Sequence, residues 1–586
     1  MSTLPKSRII VSYNDFFPDS ELPDRLSLIR HISRLDLIGE ISGLNYRLKP
    51  KDKKHTNYSL AVQDRELHYF CGGNKLLYEK YGGLARKFVN KGYPLLFTRQ
   101  TCLYALEEII QSDIPVIENF NMKNSWEPLL QYLLAVNGQL TKIRKEEREE
   151  TTEDVETDTH PDADAAATVP SFEDINIQVI ALNELNLGSD PLFLPYRAIQ
   201  FLKFLTEHDQ LGKVVVEYIM QGYGFDYRRF VFEITSLYIA NNPNKHNNIK
   251  DTEIGFELDT TFIYYPKAET LKLFRELSKC YPSNDPEKLL SIRKYPFFND
   301  NDQQFYLTDN TILLEKIYYQ FINDFWFEKV KTILDEDSKP KFNIRYYRSV
   351  IGNFFEKYVS ECFKFMVKNG KHLKLRQFQE LNILESGNQV EFTDVYLRYN
   401  NRIFLGEAKA TSIYDKEKYS GDLNEFYRDG REAFFDAFGV NQIVKAVSKL
   451  KSLAFQFDPG FPRKGTVQVF PAVIVNEKAL QTPLMAQVFN KRFQELIAEM
   501  NIDLSQIRLA PLAIIHISDL ENIEEKVHKE TGIFWRIMKR HADNPLFIPP
   551  FYHTVNTLKI VPAYEKPIKI IRELIDEYNP KLSSQG

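Results

Sequence analysis

The sequence predicts a multidomain protein in which mainly α (α+β) N-terminal and middle regions precede a C-terminal α/β domain with a central mixed sheet. A chain of 586 residues is longer than one hydrophobic core can serve. An acidic segment at 145–171 interrupts it, and beyond about Asn343 strand and helix periodicities alternate. The predicted parts are an N-terminal region 1–144, a linker 145–171, a mainly helical region 172–340 and an α/β domain 341–586.

The composition is that of a soluble globular protein, with 43% hydrophobic and 26% charged residues. No apolar run approaches the ~20 residues that a membrane-spanning helix needs, and the polar N-terminus is unlike a signal peptide. We therefore expect a cytoplasmic protein with no membrane partner. The cysteines are scattered singly, which argues against a disulfide framework and against zinc-ligand spacing. They are Cys71, Cys102, Cys280 and Cys362.

The acidic segment holds most of the negative charge. Ten acidic residues and one basic residue, Arg148, lie between Glu146 and Asp164 and give −9. Because the whole chain carries −5, the remainder carries +4, which is compatible with a polyanionic partner. The segment has almost no aliphatic residues, so we expect a disordered tether. The alternative is a regulatory element that mimics DNA phosphates over a basic groove.

Hydrophobic periodicity predicts the elements before residue 341. The predicted strands are Arg8–Ser12 and Pro94–Thr98, and the predicted helices are Leu26–Leu37, Thr101–Ile110, Tyr196–Leu205, Lys213–Met220, Arg228–Ala240 and Thr270–Leu277. No phosphate-binding loop or other catalytic motif occurs among them. These regions therefore predict a sensing, binding or regulatory role, and residues 1–340 could bind a protein trigger or partner.

The C-terminal domain is predicted to alternate strands with helices. The predicted strands are Leu373–Phe378, Gln389–Tyr399, Arg402–Ala410, Thr466–Val475 and Leu509–Ser518, and the predicted helices are Tyr346–Lys368, Asn441–Lys451, Met485–Met500 and Pro567–Tyr578. Asparagine tolerates the positive φ angles of tight turns, so Asn400-Asn401 predicts a hairpin between the second and third strands.

This hairpin carries the strongest candidate for chemistry. Asp394 falls in its first strand, and Glu407 and Lys409 fall in its second. Alternation along a strand places Glu407 and Lys409 on one face and the small residues Gly406 and Ala408 on the other, where a helix can pack closely. Buried charges are costly unless they pair or bind something. The pattern therefore favours a functional site over a structural salt bridge.

The residue types suit phosphodiester hydrolysis. Two carboxylates can hold Mg²⁺ (or Mn²⁺), which prefers oxygen ligands, and the backbone carbonyl of Ala408 can add another ligand. A lysine near a metal and partly buried has a lowered pKa. On this basis Lys409 would position or deprotonate the attacking water.

These residues resemble the PD-(D/E)xK nuclease superfamily, with Asp394 followed by Glu407-Ala408-Lys409 and with Thr393 in place of the proline. Gly352, Phe355 and Glu356 resemble the family's Gly-x-x-Phe-Glu helix, whose glutamate assists the metal site. Gln442, with Lys445 one turn on, resembles the glutamine or basic residue on a later helix. The resemblance implies catalytic residues Asp394, Glu407, Lys409, Glu356 and Gln442, and metal ligands Asp394, Glu407, Ala408 and Glu356.

The resemblance further implies a restriction-endonuclease-like fold and a Mg²⁺-dependent endonuclease acting on nucleic acid, with DNA the first expectation. Restriction or anti-phage defence is the expected setting by analogy, and many such nucleases form homodimers or higher oligomers. The alternative is a non-catalytic nucleic-acid-binding or regulatory assembly protein on the same fold.

Three other features compete for the site. Glu391 lies three residues before Asp394 and points to the opposite face of a regular strand, unless a bulge exchanges the two. His516 and Asp519 end a strand, where a histidine is usually a hydrogen-bonded core residue. The segment 414–435 could grip DNA, but we expect a solvated helical excursion.

Overall fold

The fold is taken from a computed structural model. The structure describes residues 8–21, 23–48, 59–89, 92–138, 184–185, 187–241, 256–260, 262–279, 289–369, 374–376, 382–385, 387–418, 426–543 and 547–579. The predicted linker 145–171 lies outside these residues. In the described ranges no helix is long and apolar enough to cross a membrane.

The N-terminal region is a group of helices beside a small parallel strand pair. The strands are β1 (Arg8–Ile10) and β2 (Tyr93–Leu95), and the helices are α1 (Tyr13–Phe16), α2 (Arg25–Ile29), α3 (Arg34–Arg47), α4 (Leu60–Phe70), α5 (Lys75–Arg86), α6 (Arg99–Gln111) and α7 (126–138). The prediction of helix at Thr101–Ile110 is confirmed. The continuous helix predicted over Leu26–Leu37 is wrong, because the chain breaks before Ser33 and restarts as α3.

The middle region contains helices and a sheet. The helices are α8 (Phe193–Thr206), α9 (Gly212–Tyr223), α10 (Tyr227–Ala240), α11 (Leu271–Leu277), α12 (Leu290–Lys294), α13 (Asn310–Glu315) and α14 (Tyr319–Glu328). The strands are β3 (Phe256–Thr260), β4 (Ile263–Pro266), β5 (Phe297–Asn299) and β6 (Phe305–Leu307), paired in the order β3-β4-β6-β5. The sequence periodicity gave no sign of this antiparallel sheet, since each strand has at most five residues.

The C-terminal region is built on a six-stranded mixed sheet. Its strands are β7 (Lys374–Arg376), β10 (Val395–Tyr399), β11 (Arg402–Lys409), β12 (Val467–Val475), β13 (Ile507–Leu509) and β14 (Ala513–His516). The order is β7-β10-β11-β12, with β13 and β14 both pairing with the far edge of β12. The β7, β10 and β11 strands are antiparallel neighbours, whereas β12 is parallel to β11, β13 and β14.

Helices precede, connect and follow these strands. They are α15 (Ile344–Val367), α16 (Asp415–Lys418), α17 (Arg431–Ala437), α18 (Val440–Leu453), α19 (Met485–Glu499), α20 (Ile517–Lys529), α21 (Gly532–Ala542), α22 (Phe551–Thr557) and α23 (Glu565–Tyr578). A separate hairpin pairs β8 (Asn382–Glu385) with β9 (Asn388–Glu391). The mixed α/β character predicted for this region is confirmed.

Each face of the sheet has its own core. Phe404, Ala408 and Ile474 belong to a hydrophobic cluster that includes α15, α20 and α21. Ile403 and Leu405 alternate with Phe404 along β11, and they belong to a second cluster on the opposite face with α18 and α19. Strand alternation therefore assigns Glu407 and Lys409 to the α18 face.

The first of these clusters crosses the predicted domain boundary at residue 340. Phe201 of α8 and Phe321 of α14 belong to it together with Phe354 of α15 and Ile515 of β14. The rings of Phe201 and Phe354 have centroids 5.1 Å apart. The middle helices therefore form part of the packing that supports the sheet.

Two predicted strands differ from the structure. The strand predicted at Gln389–Tyr399 is two strands, β9 and β10, separated by residues 392–394. Phe392 turns into the core and the Thr393 hydroxyl donates to the Gly406 carbonyl at 2.9 Å. The strand predicted at Leu509–Ser518 is also two, β13 and β14, and its last two residues begin α20.

Candidate active site

The β10–β11 hairpin positions the candidate residues as its turn chemistry predicts. Tyr399 pairs with Arg402, so Asn400 and Asn401 form a two-residue turn, and Asn400 has a φ of 54°. The pairing ends at Val395 opposite Gly406. Beyond that point the edge of β11 that faced β10 has no strand partner among the described residues, and Asp394 lies beside this part of β11.

Asp394 takes the position that a strand partner of Ala408 would otherwise occupy. Its Oδ2 accepts a hydrogen bond from the Ala408 N–H at 2.7 Å, and its side chain is buried. A strand residue directs its N–H and its C=O to the same neighbour, so the Ala408 carbonyl also lies on the Asp394 side. This carbonyl is therefore outside the β11–β12 ladder and available as an oxygen ligand.

Glu407 and Lys409 lie together on the α18 face. The Lys409 Nζ is 3.1 Å from Glu407 Oε2 and 3.9 Å from Asp394 Oδ2. Both carboxylates are only 4% exposed, whereas the lysine side chain is 21% exposed. The ammonium is thus the solvent-facing member of a buried charged group.

Helix α18 approaches this group through Gly439. Gly439 has a φ of 85°, and a Cβ built on it would lie 3.0 Å from Lys409 Cε and 3.1 Å from Glu407 Cβ. A side chain at position 439 would therefore strain the backbone and press on the Lys409 stem. Gln442, one turn later, has a buried Oε1 for which the structure shows no hydrogen-bond partner. An orphaned buried oxygen is costly unless something binds it.

Glu356 reaches the group from α15. Burial and the Asp394 carboxylate raise the pKa of Glu356 to about 7, against a smaller opposing effect of Lys409. Glu391 also faces the group, because β9 ends there and the chain turns: burial and Asp394 raise its pKa, and Lys409 lowers it. The expectation that Glu391 points away is wrong, since no regular strand joins it to Asp394.

The electrostatics correct one expectation for Lys409. Burial disfavours its ammonium, but Glu407 and Asp394 outweigh that effect and raise the pKa above its usual value. Burial and the nearby Asp394 carboxylate in turn hold the pKa of Glu407 well above its usual range. The structure therefore contains a charged lysine and not the lowered lysine pKa expected from the sequence.

The residue types in this group are those that a hard divalent cation prefers. Asp394 and Glu407 supply carboxylates, Ala408 a carbonyl outside the ladder, Gln442 an orphaned oxygen, and Glu356 a third carboxylate on the near helix. Such all-oxygen sets suit Mg²⁺ or Mn²⁺. In the described part of the chain no three His, Cys, Asp or Glu side chains converge as a preformed metal cage.

A groove of about 360 Å³ leads to the group from the α15 side. Its lining includes Arg345, Arg348, Glu356, Lys409 and Tyr414. The α15 members are three, four or seven residues apart or a sum of these, which places them on one face of the helix. The sequence RYYRSVIGNFFE carries this spacing.

The other candidates have structural roles. His516 is buried, and its Nδ1 lies 2.7 Å from the Ser518 hydroxyl at the start of α20. Asp519 accepts from the His516 N–H at 3.3 Å in the same capping box. His516 pairs with Val475, the partner of Lys409, and so lies two strands from the lysine.

The segment 414–435 is not simply solvated, and residues 419–425 lie outside the described part. Phe426 and Phe435 are buried, and Lys418 is buried beside Glu477, with its Nζ 2.9 Å from Oε1. The solvated excursion expected from the sequence is therefore wrong for these residues. Tyr414 remains at the groove.

No family model, curated protein or solved structure matches the chain. The function must therefore be inferred from the site itself.

Proposed function

We propose that the protein is a Mg²⁺-dependent endonuclease of the PD-(D/E)xK type, hydrolysing phosphodiester bonds, with DNA as the substrate. The observation that carries the proposal is the pairing of Lys409 with the buried carboxylates of Asp394 and Glu407 at the end of an open groove. Such a cluster costs folding free energy, and it offers the charges that phosphodiester hydrolysis needs. Restriction or anti-phage defence is the setting we propose by analogy.

The order of elements supports a restriction-endonuclease-like fold. Helix α15 precedes an antiparallel set of strands, the strand bearing Glu407 and Lys409 lies centrally, and a parallel half follows with α18 and α19 on one face. This arrangement brings together Asp394, Glu407 and Lys409, the residues on which the resemblance to the nuclease superfamily rests.

Each residue has a distinct role in the proposed reaction. Asp394, Glu407, the Ala408 carbonyl and Glu356 would hold the cation, with Gln442 as a further oxygen. When bound, the cation neutralises phosphate charge and makes a bound water more acidic. The Lys409 ammonium faces the groove, where it donates to a phosphate oxygen and stabilises developing negative charge.

The test is cleavage of plasmid and linear DNA by the purified full chain with Mg²⁺, Mn²⁺ or EDTA. We expect cutting that needs the metal and is lost in Lys409→Ala, by about a hundredfold or more, as for loss of one charge-stabilising group. Lys491→Ala is the matched control, because Lys491 is an exposed lysine on α19 away from the groove. It should cut like the wild type.

Undiminished cleavage by Lys409→Ala would refute the assignment of the site. Tight DNA binding without cleavage under any metal condition would instead favour the alternative, a non-catalytic nucleic-acid-binding or assembly protein.

A further inference from the structure

A basic and aromatic surface continues outward from the groove. It consists of Phe327, Lys331, Arg345, Arg348 and Tyr414, and we call it the outer ledge. Arg345 and Arg348 line the groove with Tyr414, the Tyr414 and Phe327 ring centroids are 6.0 Å apart, and Lys331 Nζ lies 5.7 Å from the Phe327 centroid. Five side chains from three segments thus form one continuous surface.

The cations of the outer ledge are available to a ligand. Among the residues that the structure describes, Arg345, Arg348 and Lys331 have no carboxylate within ion-pair distance. Arg348 instead donates to the Tyr414 hydroxyl at 2.8 Å. The nearby carboxylates of Glu417 and Asp429 are both paired with Arg428. The unpaired positive charge therefore faces the groove.

One aromatic ring of the outer ledge is exposed where a buried ring would be expected. Phe327 is 48% exposed although it ends α14, whose Phe321, Phe325 and Trp326 are buried. Tyr414 and the Lys331 ammonium both approach this ring. An exposed ring beside a cation is a platform on which a nucleic-acid base can stack.

We infer that the outer ledge binds single-stranded DNA beside the cleavage site, with bases stacked on Phe327 and Tyr414 and phosphates on Arg345 and Arg348. Base pairs in a duplex present their edges, so a ring can stack only on an unpaired base. From Arg345 to Glu356 the α15 axis advances about 16 Å. A DNA strand whose phosphates follow this helix would therefore run from the outer ledge to the carboxylates. The inference rests on the proposed nuclease function for the position of the cut.

Binding can be measured without cleavage. Fluorescence anisotropy in EDTA would compare a labelled oligothymidylate with a blunt duplex of equal length, using the full chain. We expect the single strand to bind more tightly. Phe327→Ala should weaken single-strand binding about tenfold, within the range for loss of one stacked base, and leave duplex binding nearly unchanged. Phe327→Trp, which keeps a stacking face, should bind at least as well as the wild type.

The two arginines of the outer ledge should affect a different quantity, the salt dependence of binding. For the double variant Arg345→Ala, Arg348→Ala, the slope of log affinity against log salt should fall by about 1.4, since each phosphate contact to a single strand contributes about 0.7.

Phe455→Ala is the matched control for Phe327→Ala. Phe455 is 39% exposed and has the Arg463 guanidinium 4.7 Å from its ring centroid, but does not line the groove. Its affinity should be that of the wild type.

Two outcomes separate this inference from the proposed function. Single-strand binding that is sensitive to Phe327→Ala, in a protein that never cuts, would support the ledge and count against the nuclease. Metal-dependent cutting by a protein that binds duplex at least as tightly as single strand, with Phe327→Ala unchanged, would overturn the ledge and leave the nuclease intact.

Discussion

At the residue scale, the site depends on how three charged side chains are held close together. Lys409 lies within 3.1 Å of Glu407 and is itself confined by Gly439. A positive φ and a close approach coincide at this glycine, so the backbone of α18 acts as a wall for the lysine. The position of the ammonium is therefore set as much by a residue without a side chain as by its carboxylate partners.

We expect Gly439→Ala to lower cleavage while the protein still folds. The new methyl group would push the Lys409 stem aside by a few tenths of an ångström. Because a displacement of about 1 Å near a reacting group can cost about a hundredfold in rate, we expect a loss of about threefold to tenfold. The measurement is single-turnover cleavage of linear DNA, with thermal unfolding recorded in parallel.

Gly465→Ala is the matched control for backbone strain. Gly465 has a φ of 81°, but a Cβ there would have nothing within 4 Å. Both variants should lose about 1 kcal/mol of stability or more from the unfavourable φ, and only Gly439→Ala should lose activity. Equal cleavage by the two variants would contradict the proposed role of Gly439.

The sequence predicted the positions of some site residues and not of others. The grouping of Asp394, Glu407 and Lys409 follows from a two-residue turn and strand alternation, both of which are local. Glu391 was assigned to the wrong side, because the break at Phe392 and Thr393 depends on a hydrogen bond to Gly406, thirteen residues on along the chain. Gly439 could not be placed at all, since its contact with Lys409 exists only after tertiary packing.

At the scale of elements, a buried ion pair fastens α8 of the middle region to α20 of the C-terminal region. Arg197 Nε donates to Glu521 Oε1 at 2.9 Å, and both side chains are at most 1% exposed. The Tyr358 hydroxyl of α15 donates to the same carboxylate at 2.7 Å. Three helices thus meet at one charged group.

Arg197→Met should destabilise the protein by about 3–5 kcal/mol, because it leaves the Glu521 carboxylate buried without its cation. Arg228→Met serves as the comparison, since Arg228 pairs with Glu577 between α10 and α23 but both side chains are partly exposed. Its effect should stay below about 1 kcal/mol. Chemical denaturation of both variants would measure the difference, and similar losses would show that the buried pair contributes nothing special.

Elements with strong periodicity were predictable, and short ones were not. The nine-residue β12 and the amphipathic α18 agree with the predicted Thr466–Val475 and Asn441–Lys451 within two residues. The sheet formed by β3 to β6 was missed because strands of three to five residues carry too few alternations to be distinguished from a loop. The pairing of β4 with β6 also joins residues that are far apart in sequence.

At the scale of the whole molecule, the core on one face of the sheet is shared with the middle region. The cluster on its α15 face includes α8, α9, α10 and α14 as well as α20 and α21. The indole of Trp326 stacks on Tyr347 with centroids 5.3 Å apart. The boundary predicted at residue 340 therefore divides the chain within a region of continuous packing.

We expect a fragment of residues 341–586 to fail to fold on its own. Removing the middle helices would expose the apolar face of α15, including Phe354 and Tyr347, which are buried in the full chain. Circular dichroism during heating should show no cooperative transition for the fragment and a cooperative one for the full chain. A sharp, reversible transition of the fragment would show that the C-terminal half is self-sufficient.

The parallel pairing of β11 with β12 also has a consequence for the nascent chain. The hairpin that carries Asp394, Glu407 and Lys409 leaves the ribosome well before Val467–Val475, the strand that covers its other edge. At about 5–20 residues per second, residues 410–466 take about 3–11 seconds to synthesise. During that interval the apolar strand around Ile403, Phe404 and Leu405 has one unpaired edge, a template for association with other chains. The protein should thus be most vulnerable to aggregation in the seconds before its cleavage centre is complete.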